Sequence, residues 1–243
     1  MFSFFKNNLP PISLESDIHA HWLPGIDDGA KDLEESMDMI RAFRQMGYSK
    51  VTATPHVFFE YYPNSRTTII ERFAEVKEKV NQEKIDIELA VAAEYYLDNH
   101  FTELLKGKEL LPLFDHAILV EFSMLGPTPN MHEYLFDLKI NGYQPIIAHP
   151  ERYLHLKEKE YKALLVQDCS FQINLLSLAG HYGREVQRKA KYLIRLLDTF
   201  YLGTDAHSKK HLDVIHQLMK SRKLEKLLKG KKVLNATDIS FQD

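Results

Sequence analysis

The sequence is poor in cysteine, in long apolar runs and in surplus charge of either sign. Cys169 is the only cysteine among 243 residues, which excludes an internal disulfide framework and fits a reducing compartment. No apolar run approaches the ~20 residues that cross a bilayer, and the formal net charge of -3 leaves no basic face for nucleic acid. These absences predict a cytoplasmic protein without a membrane span and without a nucleic-acid partner.

The first segment of the chain also lacks the features of a targeting signal. The apolar stretch in residues 1–6 is too short for the core of a secretion signal, and asparagines and a Pro-Pro pair follow at once. The chain has no Gly/Ser linker or internal repeat, and its hydrophobic content of 44% supplies one large core at this length. We therefore expect an N-terminal arm over residues 1–15 and a single domain over 16–243.

Apolar runs and helical patterns alternate along the chain. Over residues 32–46, for example, apolar residues recur at three- or four-residue spacing while polar residues fill the other face. Seven strand-like runs are separated by such helices, which predicts parallel βα units in an α/β domain, either a doubly wound open sheet or a closed barrel. The strand-like runs cover residues 17–21, 50–54, 87–95, 116–122, 144–149, 170–174 and 200–207.

Polar residues at the ends of these strands separate the two alternatives. In a closed barrel the C-terminal strand ends converge on one mouth, whereas an open sheet spreads them along an edge. Convergence accounts more simply for histidines and carboxylates at so many strand ends, so we predict a single-domain (βα)7-type TIM-like barrel. The polar residues at the predicted strand ends are His19, His21, His56, Glu94, Glu121, His149, Asp205 and His207.

The first strand and the turn after it are typical of the start of a metal site. In a strand over residues 17–21, Asp17, His19 and His21 share one face, and two imidazoles on one face either share a cation or form a solvated, hydrogen-bonded pair. A glycine-bounded turn then returns Asp27 and Asp28 toward the strand end. Asp17 is interpreted either as an acceptor that orients a ligand or as a carboxylate bonded to backbone amides.

Imidazole and carboxylate donors without a thiol suit Zn, Mn or Fe. One ion takes about four to six donors, so the larger set predicted at the barrel mouth implies more than one metal. Two ions about 3.5–4 Å apart would hold a bridging hydroxide suited to attack on phosphorus or an acyl carbon. Hydrolysis is therefore the predicted reaction class.

The order of these motifs resembles the polymerase-and-histidinol-phosphatase (PHP) superfamily over about residues 16–210. Within it, residues 23–30 and 149–153 are most similar to the bacterial capsule-type, CpsB/YwqE-like protein-tyrosine phosphatases. The motifs that carry the resemblance are His19-x-His21, Thr54-Pro55-His56, Ala93-Glu94, Ala148-His149-Pro150-Glu151-Arg152 and Thr204-Asp205-Ala206-His207.

The resemblance implies a distorted βα barrel, the PHP fold, with two to three divalent ions, Mn first and Fe, Zn or Co as alternatives. Asp28 is chosen over Asp27 because the family aligns on the second Asp of Asp-Asp-Gly. Carried over position by position, the resemblance implies His19, His21, Glu94 and Asp205 for the first ion, Glu94 as a bridge to a second ion held also by Glu121 and His149, and Asp28, His56 and His207 for a third.

The same resemblance implies attack of a metal-bridged hydroxide on phosphotyrosine. Arg152 would bind the phosphate and stabilise charge in the transition state, although an arginine in this position also commonly pairs with a surface carboxylate. A phenol has a pKa of ~10, against ~15.7 for water, so a phenolate is the easier leaving group. A protonated His207 or a metal would assist its departure. A cysteine mechanism is excluded because Cys-x5-Arg from Cys169 would need arginine where Leu175 stands.

As a member of this branch, the chain would dephosphorylate the tyrosine-rich tail of a membrane-anchored bacterial tyrosine kinase that regulates capsular or exopolysaccharide synthesis. The alternatives are a small-molecule phosphomonoesterase, similar to histidinol phosphatase, and a metal-bound interaction module. An open mouth favours the peptide substrate, and a closing lid favours the small molecule. The aromatic residues in 58–62 either wall the phosphotyrosine ring or pack on the next helix or a neighbouring subunit, and the sequence is compatible with an oligomer.

Overall fold

The computed structural model describes residues 14–235, in which ten strands are connected by α-helices. The strands are β1 Ser16–Ala20, β2 Lys50–Ala53, β3 His56–Val57, β4 Glu88–Val91, β5 Glu94–Tyr96, β6 Ala117–Glu121, β7 Gln144–Ala148, β8 Ser170–Asn174, β9 Thr199–Gly203 and β10 Lys232–Val233. The helices are α1 Leu33–Met46, α2 Arg66–Gln82, α3 Asn99–Gly107, α4 Met131–Ile140, α5 Glu158–Val166, α6 Leu175–Ala179, α7 Arg184–Leu196, α8 Lys209–Met219 and α9 Arg222–Leu228.

The predicted N-terminal arm falls outside the described residues except for its last two. Leu14, which the sequence assigned to the arm, is buried at 1% exposure and belongs to the core. The division into an arm over 1–15 and a domain over 16–243 stays a prediction. In residues 14–235 no helix is both long enough and apolar enough to cross a membrane.

All strand pairs within the sheets are parallel, in the orders β1-β2-β4 and β10-β9-β8-β7-β6-β5-β3. The predicted run 50–54 ends as β2 and is followed, after a break at residues 54–55, by the short strand β3, and the predicted run 87–95 is broken at residues 92–93 into β4 and β5. Pro55 has no N–H to donate to a ladder, which explains the first break, and the second lies opposite it. Hydrogen bonds from Ala92 N to Ala53 O and from Glu94 N to Pro55 O, 2.8 and 3.0 Å long, continue the pairing past both breaks.

The wall of strands closes at a seam between β1 and β9. Near the mouth, His21 N donates to Ala206 O at 2.9 Å and Asp205 N donates to His19 O at 2.7 Å. Farther from the mouth, β10 pairs with the edge of β9. There the side chain of Asn235 connects β1 with β9. Its amide donates to Ser16 O and Leu202 O at 2.9 and 2.8 Å and accepts from Leu202 N at 3.0 Å. The predicted α/β barrel is therefore confirmed, in a distorted form.

The first strand departs from the strict alternation predicted for residues 17–21. Asp17 is paired with Val51 and Ala20 with Ala53, so β1 contains one more residue than β2 over this interval. Such a bulge re-aims side chains and is common beside active sites. As a result Ile18 and Ala20, which strict alternation would place on one face, belong to different apolar clusters, and Ile18 belongs to the smaller one, which contains Leu119.

The helices cover the strands with one apolar face each. In α1 the predicted apolar residues Met37, Ile40 and Phe43 are buried, which confirms the helical pattern. The side chain of Asp32 accepts from Glu35 N at the start of the helix, and Gly47, with φ of 98°, ends it in the left-handed conformation that glycine adopts without strain. The helices thus pack against the outside of the strand wall.

Candidate metal centre

The structure brings the nine predicted ligand residues together at the C-terminal mouth of the barrel. We divide them by burial into two groups, because exposure separates them sharply. The inner group, with side chains at most 1% exposed, is His19, His21, Glu94, His149 and Asp205. The outer group, with side chains 13–54% exposed, is Asp28, His56, Glu121 and His207.

The two imidazoles of β1 are oriented by acceptors on their Nδ1 atoms. His19 Nδ1 lies 2.8 Å from Gln172 Oε1, and His21 Nδ1 lies 2.8 Å from Asp27 Oδ2. An amide or carboxylate oxygen only accepts, so each Nδ1 is the donor and each Nε2 is left for another partner. The two Nε2 atoms lie 3.2 Å apart and face the same point.

This point requires positive charge. Glu94 Oε2 and Asp205 Oδ1, 3.2 and 3.5 Å from His19 Nε2, are buried without a hydrogen-bond partner in residues 14–235. Burial lowers the pKa of His19, but the charges of Glu94 and Asp205 outweigh it and raise that pKa to about 9. Buried carboxylates that draw a proton onto an imidazole offer a divalent cation the same place. The inner group therefore fits a metal.

Glu94 lies between the inner and outer groups. Its Oε2 is 3.0 Å from His56 Nδ1, and its Oε1 is 2.9 Å from His149 Nε2. Burial raises the pKa of Glu94, yet the positive charges of His19 and His56 hold it well below the usual range. A carboxylate that uses both oxygens in this way can bridge two cations.

Asp28 lies between the two histidines of the outer group. Its Oδ1 lies 3.4 Å from His56 Nε2 and 3.3 Å from His207 Nε2. His207 Nδ1 donates to the backbone oxygen of Asp205 at 2.9 Å, so its Nε2 is the atom turned to the cluster. Burial and the nearby charge of Glu94 raise the pKa of Glu121 to about 8.

Four overlapping sets of donors lie close enough to hold an ion, with their ligand atoms within 4.8 Å of one another. They draw on both groups, and among residues 14–235 they involve only predicted ligands. The sets are His21, Asp28, His56 and His207; His19, Glu94 and His149; His19, His21 and Asp205; and His56, Glu94 and Glu121.

Backbone geometry at the mouth is unusual at three positions. His149 and Asp205, which follow β7 and β9, have φ of 34° and 49°, a left-handed conformation that is costly without glycine and concentrates at functional sites. Gly29 lets the turn that carries Asp28 approach β1, because a Cβ there would lie 2.0 Å from His21 O. The backbone is thus shaped to deliver ligands from separate strands.

Arg152 reaches the mouth and pairs with a buried carboxylate. Its Nη1 donates to Asp205 Oδ2 at 3.0 Å, and its guanidinium stacks on the ring of Tyr182, 4.5 Å from the centroid. Burial lowers the pKa of Arg152, but Asp205 more than compensates and raises it. The side chain is still 26% exposed, so it lies between the inner group and solvent.

An open pocket of about 760 Å³ lies over the outer group and Arg152. Phe58 and Tyr62 line one side: Phe58 stacks on Tyr96 at 4.0 Å, and Tyr62 lies parallel to His56 at 5.4 Å between centroids. Phe59 and Tyr61 point away and are 60% and 69% exposed. Half of the aromatic cluster thus walls the pocket. Besides Arg152, the lysines Lys31, Lys209 and Lys210 line the pocket.

Two residues of the site, Gln172 and Asn174, had no predicted role. Both are buried polar residues of strand β8, where they alternate with Phe171 and Ile173, and their i, i+2 spacing was the available signal. Asp17 accepts from Thr204 N and Thr204 Oγ1 at 2.9 and 2.7 Å, which matches the interpretation as a carboxylate bonded to the backbone. Cys169 is 4% exposed, and burial raises its pKa to about 12.

A parallel βα barrel with buried imidazoles and carboxylates at its C-terminal mouth defines a metal-dependent hydrolase of the PHP type. Residues 15–231 match the family model described as "Capsular polysaccharide synthesis, CpsB/CapC". The chain belongs to this family, and the resemblance predicted from the motifs is confirmed.

Relatives with assigned names agree with this membership. Tyrosine-protein phosphatase YwqE of Bacillus subtilis strain 168 is 32% identical over 198 residues, covering 80% of this chain and 78% of YwqE. The putative tyrosine-protein phosphatase CapC of Staphylococcus aureus is 28% identical over 238 residues, 93% of each chain. A chain from the crystal structures of YwqE and of Streptococcus pneumoniae CpsB, described as metal-dependent tyrosine phosphatases, superimposes with a TM-score of 0.73 at 28% identity, covering 90% of this chain and 96% of that one.

A more distant neighbour shares the fold alone. Histidinol phosphate phosphatase of Lactococcus lactis, solved with Zn, L-histidinol and phosphate, has a TM-score of 0.52 at 18% identity and covers 85% of this chain. The barrel architecture is therefore common to phosphatases that act on different substrates, and the chemistry of the mouth must distinguish them.

Proposed function

We propose that this protein is a metal-dependent protein-tyrosine phosphatase that hydrolyses the phosphate ester of phosphotyrosine in proteins. The observation that carries the proposal is the inner group, in which the Nε2 atoms of His19 and His21 and unpartnered carboxylate oxygens converge on one point. Family membership and the tyrosine-phosphatase names of the relatives support the same activity.

The nine residues of the two groups would hold two to three divalent ions, as the family resemblance implies, with Mn favoured and Fe, Zn or Co as alternatives. The sharing of Glu94 between His19, His56 and His149 supports more than one ion. When bound, such ions polarise the phosphate ester and make hydroxide available at neutral pH.

Arg152 would bind the phosphate oxygens. A guanidinium has five N–H donors, and the bond from Nη1 to Asp205 leaves others for a two-pronged contact with phosphate. Stacking on Tyr182 holds the planar group in place without using its donors. Arg152 is therefore assigned to both substrate binding and charge stabilisation in the transition state.

His207 fits a ligand better than a proton donor. Its Nδ1 is engaged with the backbone oxygen of Asp205, and its Nε2, the remaining nitrogen, faces the carboxylate of Asp28. A phenol leaves with a pKa of about 10, so it needs little protonation. We accordingly place His207 in the outer ligand group, with any help to the leaving group secondary.

The open mouth favours a phosphotyrosine carried on a protein. Asp28 is 54% exposed, so the described loops leave the outer group open to a bulky substrate. Phe58 and Tyr62 offer an aromatic wall of the kind that packs on a phenol ring. If the substrate were a small aliphatic phosphate ester, this aromatic wall would have no ring to pack against.

The substrate we propose is a phosphotyrosine protein of the capsule pathway, most specifically a membrane-anchored bacterial tyrosine kinase that regulates capsular or exopolysaccharide synthesis. The description of the family, capsular polysaccharide synthesis, supports this assignment. In this proposal the phosphatase acts at the cytoplasmic side of the membrane, where such a kinase presents its tyrosine-rich tail.

The test compares substrates with one metal-loaded sample. We expect the Mn-loaded protein to hydrolyse phosphotyrosine peptides far faster than histidinol phosphate or phosphoserine peptides, EDTA to abolish turnover, and Mn, Fe or Co to restore it. His149→Ala should lose bound metal, whereas His132→Ala, a surface histidine bonded to Gln167, should not. Undiminished turnover in a fully demetallated sample, or a preference for histidinol phosphate, would contradict the proposal.

A further inference from the structure

Two buried amides of β8 connect one proposed ligand to another. Gln172 and Asn174 are fully buried and point to the same side of the strand. His19 Nδ1 donates to Gln172 Oε1 at 2.8 Å, Gln172 Nε2 donates to Asn174 Oδ1 at 2.8 Å, and Asn174 Nδ2 donates to Asp205 Oδ2 at 2.6 Å. We call this series of three hydrogen bonds the amide relay.

Each amide of the relay has one possible orientation. The Asp205 carboxylate pairs with the Arg152 guanidinium, whose Nη1 donates to Asp205 Oδ2 at 3.0 Å, so its oxygens act as acceptors. It can only accept, so Asn174 must present its Nδ2 group. Asn174 Oδ1 then faces Gln172, which must present Nε2 and turn Oε1 to His19. The tautomer of His19 therefore follows from a carboxylate on another strand.

Two hydrogen bonds outside the relay hold the Gln172 side chain and the Asn174 backbone in place. His149 N donates to Gln172 Oε1 at 3.3 Å, and Asn174 N donates to Glu151 Oε1 at 2.9 Å. Gly203 leaves the space that Gln172 fills: a Cβ there would lie 2.5 Å from Gln172 Nε2 and 3.0 Å from the Cβ of His19. The surroundings thus fit this side chain closely.

The two ends of the relay return to the same point. His19 Nε2 and Asp205 Oδ1, the atoms that the relay leaves free, lie only 3.5 Å apart. The fold alone does not need the polar pair, because Phe171 and Ile173 on the other face of β8 show that this strand packs with apolar side chains. Two adjacent buried amides in a strand are costly unless each hydrogen bond is made.

We propose that Gln172 and Asn174 are positioning residues of the metal centre, which orient His19 and Asp205 as a coupled pair of ligands. The proposal rests on the metal centre assigned under the proposed function. Partners of this kind, one bond removed from the ligands, typically change metal affinity by about 10–100-fold when they are lost. The relay would hold the His19 ring with Nε2 toward the ion and keep Nδ1 protonated.

The first test replaces Gln172 by methionine, which has a similar length and no hydrogen bonds to offer. We expect Zn²⁺ to bind Gln172→Met about 10–100-fold more weakly than the unaltered protein by isothermal titration. Gln144→Met is the matched control, because Gln144 starts the neighbouring strand β7 and bonds to the backbone oxygen of Asp168, far from the mouth. Its Zn²⁺ affinity should be unchanged.

A spectroscopic measurement separates orientation of His19 from general loosening of the barrel. In Zn-loaded, ¹⁵N-histidine-labelled protein, the hydrogen-bonded Nδ1–H of His19 should give a downfield, slowly exchanging proton signal that is absent from His19→Asn. In Gln172→Met this signal should move upfield or exchange quickly, while the Nδ1–H signal of His21, bonded to Asp27, should stay in place. A structural role alone would disturb both signals or neither.

Gln172→Glu divides the relay and decides the question if Gln172→Met does not fold. The carboxylate can still accept from His19 but cannot donate to Asn174, so the His19 signal should be retained while Zn²⁺ affinity still falls. Unchanged Zn²⁺ affinity and an unchanged His19 signal in a folded Gln172 variant would overturn the inference and leave the proposed function standing. Failure of the unaltered protein to bind Zn²⁺ or Mn²⁺ would instead overturn the metal centre itself.

Discussion

The inner and outer groups contain the same kinds of donor but hold them in different ways. The imidazoles of β1 are oriented by buried side chains, Gln172 for His19 and Asp27 for His21. His207 in the outer group is oriented by a backbone oxygen, and Asp28 at its centre is 54% exposed. The inner donors are therefore held in place by the protein itself, whereas the outer donors are exposed to solvent.

Such a difference would allow one site to combine tight metal binding with access for a substrate. Side chains locked by buried hydrogen bonds lose little freedom on binding a cation, so their affinity is high. Exposed donors are more weakly defined, but a substrate can reach them. We expect the inner group to determine whether metal is retained and the outer group to determine how the substrate is engaged.

Substitution of Glu94, which contacts both groups, should have the largest effect. Glu94→Gln removes the charge beside His19, His56 and His149, and metal ions contribute several kcal/mol to such reactions, so kcat/KM should fall by about 1,000-fold or more. Metal content by mass spectrometry should drop in parallel. Glu88→Gln, at a surface ion pair with Lys50, is the control. If Glu94→Gln lost activity but kept its full metal content, the assignment of Glu94 as a metal ligand shared by the two groups would be wrong.

Substitution of Asp28 should separate the groups. Asp28→Asn removes the carboxylate shared by His56 and His207, so we expect loss of about one ion equivalent, retention of the rest and a fall of about 100-fold in kcat, the loss typical of one electrostatic contact to a transition state. Equilibrium dialysis followed by metal analysis measures the stoichiometry. If Asp28→Asn and Glu94→Gln lose the same ions, the distinction between inner and outer groups fails.

Arg152→Lys tests the side of the pocket that faces the substrate. Lysine keeps the charge but lacks the planar fork, and one lost charge-assisted hydrogen bond of about 2 kcal/mol corresponds to about 30-fold in kcat/KM. Metal content should stay normal. Arg41→Lys, which disturbs only a surface pair with Glu83 and Asp38, serves as the control. Wild-type kinetics for Arg152→Lys on phosphotyrosine peptide would remove Arg152 from the site.

The pH dependence of metal binding should sharpen the comparison within the inner group. The pKa of His19 is raised to about 9 by Glu94 and Asp205 against the effect of burial, whereas burial and the charge of Arg152 lower the pKa of His149 to about 4. Below pH 9 a metal ion must therefore displace the proton of His19. The metal affinity should fall by at least about tenfold for each unit by which the pH is lowered. Calorimetry in buffers of different ionisation enthalpy counts the released protons. A flat affinity between pH 6 and 9 would contradict this expectation.

Cys169 should give the smallest effect. The thiol is buried and its pKa is raised to about 12, so alkylation of the folded protein should be slow and should leave activity unchanged. Cys169→Ala should keep kcat/KM within about twofold, since a buried thiol behaves as a small apolar side chain. Rapid inactivation by iodoacetamide, prevented in Cys169→Ala, would point to a cysteine mechanism.

Much of the fold and most of the candidate site could be predicted from the sequence. Helical periodicity and apolar runs depend on local burial, so the alternation of strands and helices is visible without tertiary information. Charged and metal-binding side chains such as Glu94 and His149 at strand ends are chemically conspicuous, and the geometry of a barrel tells where such ends meet.

The parts that could not be predicted depend on distant contacts. The role of Gln172 requires His19, 153 residues away, and that of Asn174 requires Asp205, 31 residues away. A neutral amide carries no metal signature of its own. The bulge in β1 is likewise invisible in the sequence, because the extra residue is defined only by the register with β2.

The seam spanned by Asn235 has a consequence for how the chain reaches its native state. The contacts between Ser16 and Asn235 join residues 219 positions apart, so they depend on the costliest loop closure. On the ribosome, β1 must wait until residue 235 has been synthesised before its last neighbour exists. We expect seam closure to be the late step of folding, with an open, incompletely paired β1 edge as the species most exposed to aggregation.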